Sequence, residues 1–101
     1  MAEEMTVARV DEIPSGSGRV VEVANRTLAV FNVDGNFYVI DNVCLHRGGP
    51  LGEGFLEGTV VTCPWHGWEY DVTTGEYTLN PVLNVDTYRA RVRDGEVRAQ
   101  I

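Results

Sequence analysis

The chain has 101 residues, 44% of them apolar and 23% charged, and its 15 carboxylates against 8 basic residues, all arginine, give a formal net charge of −7. That length is one domain with a modest core, and the negative balance excludes binding to a phosphate backbone as its main business. No window approaches the roughly 20 apolar residues of a membrane-spanning helix, and Met1-Ala2-Glu3-Glu4 is acidic where a secretory signal is basic, so a soluble, cytoplasmic chain is expected.

Short β-branched runs that alternate in polarity, with no apolar stretch at helical spacing, predict an all-β fold. Strands are expected over residues 6–10, 19–23, 27–33, 36–41, 59–62, 69–72, 83–86, 88–93 and 96–101. Pro14-Ser15-Gly16-Ser17-Gly18 has a linker composition, but too few residues precede it to form a domain, so it reads as a flexible loop between two strands. Asp34-Gly35 between two aromatic and β-branched runs is a hairpin signal, and Asp94-Gly95 repeats it.

All the cysteines and histidines lie in two short stretches, Cys44-Leu45-His46 and Cys63-Pro64-Trp65-His66, with sixteen residues between His46 and Cys63. A thiolate and an imidazole at i and i+2 on one loop, and at i and i+3 on another, can converge on one metal centre. Mixed sulfur and nitrogen ligation suits zinc or iron-sulfur. A Cys44–Cys63 disulfide would leave both histidines unexplained. A structural zinc module would use the same four donors, yet it accounts neither for the long separation nor for the glycines around both loops.

Cys-x-His, sixteen residues, then Cys-x-x-His resembles the signature of Rieske 2Fe-2S proteins in spacing and order. Leu51-Gly52-Glu53-Gly54 resembles that family's Leu-x-x-Gly run, and His66-Gly67, Tyr70-Asp71 and Thr74-Gly75 resemble its second loop and following turn. The resemblance covers nearly the whole chain. It implies a single domain over 1–101, a small antiparallel β-sandwich with an inserted cluster-binding subdomain around residues 42–71. It further implies one Rieske 2Fe-2S cluster with Cys44 and Cys63 on the inner iron, and with His46 and His66 on the outer iron reaching the surface. The function so implied is that of a soluble one-electron carrier, similar to the ferredoxins that pass electrons from a flavoprotein reductase to a terminal, ring-hydroxylating oxygenase. Such a carrier has no catalytic residues of its own and is expected as a monomer that meets its partners in turn.

The alternative within the same fold is the small subunit of an assimilatory nitrite reductase. Many of those subunits lack the cluster ligands, whereas all four are present here. A Rieske oxygenase needs a second, mononuclear iron site, usually with two histidines, and none remain.

The chain departs from the Rieske subunits of quinol-oxidising cytochrome complexes at informative places. Those carry an extra cysteine in each loop, joined as a disulfide, where this chain has Gly49 and Trp65. They also carry a serine after the His-Gly pair and a tyrosine two residues on, both donating hydrogen bonds to sulfur; this chain has Trp68 for the serine and keeps Tyr70. Fewer donors imply a potential in the lower part of the Rieske range of about −150 to +300 mV. Gly48, Gly49, Gly52, Gly54 and Gly67 are expected to shape the loops, with Gly67 the one crowded against the cluster. Trp65 and Trp68 flank His66; ordinary packing is the default for tryptophan, and shielding the cluster or rimming a docking face are the functional alternatives. Taken by halves, seven carboxylates against four arginines up to Pro50 and eight against four beyond it, the charge forms no patch. The carboxylates either steer such a carrier toward basic rims on its partners or simply keep the domain soluble.

Overall fold

The run Leu28-Ala29-Val30-Phe31 is apolar at every position, which a strand tolerates only when both its faces are covered. In the computed structural model, which describes residues 4–65 and 67–101, these four side chains are fully buried. Side chains on a strand alternate sides, so the run serves two cores. Leu28 and Val30 pack with Val7, Ala8, Ile13, Val39, Val97 and Ala99. Ala29 and Phe31 point the other way, into a core with Ile40, Leu51, Val61, Tyr70, Val72, Val85 and both cysteines.

The strands are β1 (Glu4–Arg9), β2 (Ser17–Val23), β3 (Arg26–Val33), β4 (Asn36–Asp41), β5 (Phe55–Glu57), β6 (Val60–Thr62), β7 (Glu69–Asp71), β8 (Thr87–Tyr88), β9 (Ala90–Arg93) and β10 (Glu96–Gln100). They form three antiparallel sheets in the orders β1-β10-β9, β2-β3-β4-β8 and β5-β6-β7. The all-β expectation holds, with the four-stranded sheet as a wall between two cores.

Both expected hairpins form. Asp34 and Gly35 sit at φ 50° and 91° between Val33 and Asn36, and Asp94 and Gly95 at 55° and 75° between Arg93 and Glu96. Left-handed values at both central residues match the right-handed twist of the flanking strands. A third turn of this kind joins β2 to β3 through Ala24 and Asn25, at φ 54° and 64°, and carries no glycine to announce it.

Four expectations need correction. Ser17 and Gly18 belong to β2, opposite Asn32 and Phe31; a Cβ at Gly18 would lie 2.5 Å from the Phe31 ring, so this glycine makes room rather than flexibility. Residues 83–86 form no strand; an isolated Glu76–Asn84 bridge and single backbone bonds, such as Val85 N–H to the Gly75 carbonyl, hold them to the fold-back after β7. Residues 55–57, too short and too exposed to show alternation, do form one. The run 88–93 divides at Arg89, because β8 pairs with β4 whereas β9 pairs with β10.

Asn42 carries the wall into the site. Its N–H donates to the Thr27 carbonyl, its carbonyl accepts from Leu51 N–H, and its side-chain oxygen accepts from Gly52 N–H at 2.8 Å, all in a buried setting. Among the described residues, no helix is long and apolar enough to cross a membrane.

Candidate metal centre

Two loops leave the wall and the small sheet, and their backbones repeat each other. In the first, Cys44 N–H donates to the Gly49 carbonyl at 3.0 Å and Gly48 N–H donates to the Cys44 carbonyl at 2.8 Å. In the second, Cys63 N–H donates to the Trp68 carbonyl at 2.7 Å and Gly67 N–H donates to the Cys63 carbonyl at 3.1 Å. The pattern is i to i+5 and i+4 back to i in both, and the glycine at i+4 has φ of 75° in one and 78° in the other. A left-handed residue is required there, and glycine supplies it without strain. The motifs Cys-x-His and Cys-x-x-His therefore sit in one kind of frame, with the cysteine at the same corner each time.

Both cysteines are buried, at 2% and 3% exposure, in the core that rests on Ala29 and Phe31, whereas His46 lies at the surface. His66, the fourth expected ligand, lies outside the described residues. Among the described residues, no three His, Cys, Asp or Glu side chains close on one point. A two-iron cluster makes no such demand, since its thiolate ligands and its imidazole ligands bind different irons.

Gly49 is what allows the loops to meet. A Cβ on it would lie 2.6 Å from Cys63 Sγ and 3.1 Å from the Trp65 ring. Gly67, expected to be crowded against the cluster, would with a Cβ meet no described protein atom within 4 Å, and its φ of 78° makes it the turn residue of its loop. Position by position, the expected sites of the missing disulfide, Gly49 and Trp65, are indeed neighbours, and the indole lies against the space a side chain at 49 would take.

Tyr70 is fully buried in β7, and its hydroxyl lies 3.4 Å from Cys44 Sγ. Leu45 N–H donates to the same hydroxyl oxygen at 3.1 Å. That oxygen already accepts, so the phenol proton is available to the sulfur, and a thiolate at Cys44 could only accept it. Burial first, then the bond to Cys44, holds the Tyr70 phenol protonated well above its ordinary range. The tyrosine is thus a core residue whose hydroxyl also lies within hydrogen-bonding distance of sulfur.

Aromatic rings connect the loops on the outer side. His46 stacks on Trp68 with centroids 4.7 Å apart and planes 3° from parallel, and Trp68 stacks on Tyr77 at 4.1 Å and 7°. Tyr77 in turn lies 5.9 Å from Tyr70 and bridges it across the backbone. Tyr77 has no motif of its own; its position follows from the turn at Thr74 and Gly75, which folds the chain back beside β7.

The charge is less even than its division by halves indicates. Residues 48–88 contain Glu53, Glu57, Glu69, Asp71, Glu76 and Asp86 and no arginine, while Arg89, Arg91, Arg93 and Arg98 all follow. Two of these arginines pair within the β1-β10-β9 sheet, Arg91 with Glu4 at 2.6 Å and Arg98 with Glu96 at 2.9 Å.

Matched loops, buried cysteines and a tyrosine aimed at sulfur coincide with a match of residues 3–89 to the Rieske [2Fe-2S] domain. The chain belongs to the Rieske family. It is 38% identical over 87 residues, 85% of this chain and 84% of the other, to the ferredoxin component of a naphthalene 1,2-dioxygenase system from Pseudomonas aeruginosa. A solved complex of reduced oxygenase and oxidized ferredoxin in carbazole 1,9a-dioxygenase contains a chain that superposes with a TM-score of 0.86 at 30% identity, covering 96% of this chain and 92% of that one. A nitrite reductase small subunit from Mycobacterium tuberculosis superposes at 0.88 but at 22% identity over 98% and 95% of the two chains, a likeness of fold alone. Membership in the Rieske family implies a Rieske-type 2Fe-2S cluster, and the donors present suit it: two buried sulfurs, one exposed imidazole, and a hydroxyl placed for a thiolate.

Proposed function

We propose that this protein is the ferredoxin component of a multicomponent ring-hydroxylating oxygenase system, taking one electron at a time from a flavoprotein reductase and giving it to the terminal oxygenase. Cys44 and Cys63 hold the inner iron and His46 and His66 the outer one, in a single domain whose cluster-binding part spans about 42–71. When bound, the cluster supplies one reversible electron. The chain's own residues bury the thiolate end, donate to Cys44 from Tyr70, and leave His46 at the surface.

The observation that carries this reading is the opposite exposure of the donors described: both sulfurs are inside, on matched loops, and the His46 imidazole is outside. Such an arrangement favours electron passage through the imidazole end. Leu45 and Trp65 expose apolar side chains on the two loops, Leu79 and Val82 do so on the segment that follows Tyr77, and the six carboxylates of residues 48–88 give that part of the chain a negative charge. Exposed apolar side chains together with net negative charge suit transient docking to a basic partner surface. With both histidines committed to the cluster, we assign no catalytic residue to the chain. A reducing cytoplasm suits two cysteines that serve as ligands.

The test is EPR of the anaerobically reduced protein with iron analysis on the same sample. A rhombic signal averaging near g of about 1.9 with two irons per chain is expected for Cys/His ligation. A colourless protein with one zinc would replace the carrier with a structural module. Reduction by a purified flavoprotein reductase is expected to slow as salt rises, and a salt-independent rate would remove the electrostatic part of the docking.

A further inference from the structure

We infer that Trp68 is a positioning residue for His46: clamped from behind by Tyr77, its indole fixes the plane of the ligand imidazole at the outer end of the cluster. The inference rests on the ligand assignment proposed above and goes beyond it by naming what orients one of the ligands.

His46 lies on an exposed loop, where a side chain ordinarily keeps its rotamer freedom. Coordination uses the lone pair in the plane of the imidazole, whereas stacking uses the face of the ring. The two do not compete, and the nearly parallel contact with Trp68, 3° between planes, leaves the ring edge available to a metal while opposing rotation about the ring bond. A clamp must itself be held. Trp68 has Tyr77 against its other face at 4.1 Å and 7°, and its carbonyl accepts from Cys63 N–H at 2.7 Å. Tyr77 is fixed in turn by its bridge to Tyr70 and by its N–H, which donates to the Leu83 carbonyl at 2.9 Å.

The column therefore joins three separate segments: loop one through His46, the end of loop two through Trp68, and the fold-back after β7 through Tyr77. It reaches Tyr70, whose hydroxyl serves Cys44. One aromatic assembly thus contacts a sulfur ligand at one end and an imidazole ligand at the other. Loop two contributes an aromatic face at position 68 to a ligand that belongs to loop one.

The experiment compares cluster-loaded wild type, Trp68→Phe, Trp68→Leu and Tyr77→Leu by low-temperature EPR and by nitrogen couplings from electron spin echo or double-resonance spectra, with iron content and thermal melting recorded for each. Trp68→Leu keeps apolar bulk but has no ring face. The expected result is loss of the single defined coupling of one imidazole nitrogen and a broadened g distribution, with the other imidazole unchanged and with Trp68→Phe restoring the sharp spectrum. A wild-type spectrum in Trp68→Leu at full iron content would overturn the inference, leaving Trp68 as packing. If Trp68→Leu assembles no cluster, Tyr77→Leu decides, because it keeps the indole and removes only its backing: a broadened signal supports the clamp and an unchanged one overturns it. Failure of the ligand assignment shows separately, as absence of the rhombic signal in the wild type.

Discussion

The two faces of β3 bury side chains equally well and to different ends. Toward the β1-β10-β9 sheet, Leu28 and Val30 join a buried core of Val7, Ala8, Ile13, Val39, Val97 and Ala99, which includes neither cysteine. Toward the small sheet, Ala29 and Phe31 support a core of similar burial that includes Cys44, Cys63 and the Tyr70 phenol. Close packing makes both faces rigid, but on the second face rigidity is spent on chemistry: it holds sulfurs, a hydroxyl and two loop frames in fixed relation. One strand, by alternation alone, separates a purely structural core from a functional one.

The largest effect should come from the structural face. Leu28→Ala is expected to cost about 2–5 kcal/mol of stability by leaving a cavity, while the reduction potential of protein that remains folded stays at the wild-type value. A shifted potential, measured by mediated titration beside urea unfolding, would show that the two faces are not independent. On the functional face, Gly49→Ala should invert this result. Its methyl would intrude on Cys63 Sγ and the Trp65 ring, an overpacking of about 1–3 kcal/mol applied at a proposed ligand. Iron content should fall while the far-ultraviolet circular dichroism of the β-sheets persists; full iron loading would mean the loops can separate without cost.

Tyr70→Phe probes the functional face more gently. The ring still fills its place, but the proton directed at Cys44 is gone. A loss of about 1 kcal/mol specific to the reduced state lowers the potential by roughly 40 mV for a one-electron couple. Equal potentials in the two proteins would make the tyrosine a packing residue only.

The smallest expected effect lies at the edge of the wall. Tyr88 on β8 donates to Asp41 Oδ1 at 2.6 Å and accepts from Arg26 at 3.0 Å. Burial first, then the Asp41 carboxylate, raises its pKa above the ordinary phenol value near 10. The folded state therefore favours the protonated phenol, and its contribution is complete below the unfolded value and lost as pH rises through the folded one. The urea midpoint should be steady through neutral pH and decline above about 10, and Tyr88→Phe should decline less. An identical alkaline decline in both would place the responsible group elsewhere.

Much of this was legible along the chain, for physical reasons that are local. Asp-Gly turns report their own backbone angles, a four-residue apolar run reports burial on both faces, and clustered thiol and imidazole donors report a metal. The same locality explains the misreadings. Gly18 signals a loop by composition, yet it is needed for space beneath Phe31, a residue thirteen positions away. Ala24-Asn25 turns as tightly as Asp34-Gly35 without the glycine that would mark it.

The sequence by itself determined the family, the cluster type and the all-β class, because ligand identity and spacing are written in consecutive residues. The tertiary structure decided that Gly49 lies against Cys63, that the Tyr70 hydroxyl lies beside Cys44 and that Trp68 stacks on His46. Those depend on approaches between segments far apart in the chain, Gly49 to Cys63, Tyr70 to Cys44 and Tyr77 to Trp68 to His46, and such approaches exist only once both faces of β3 are packed.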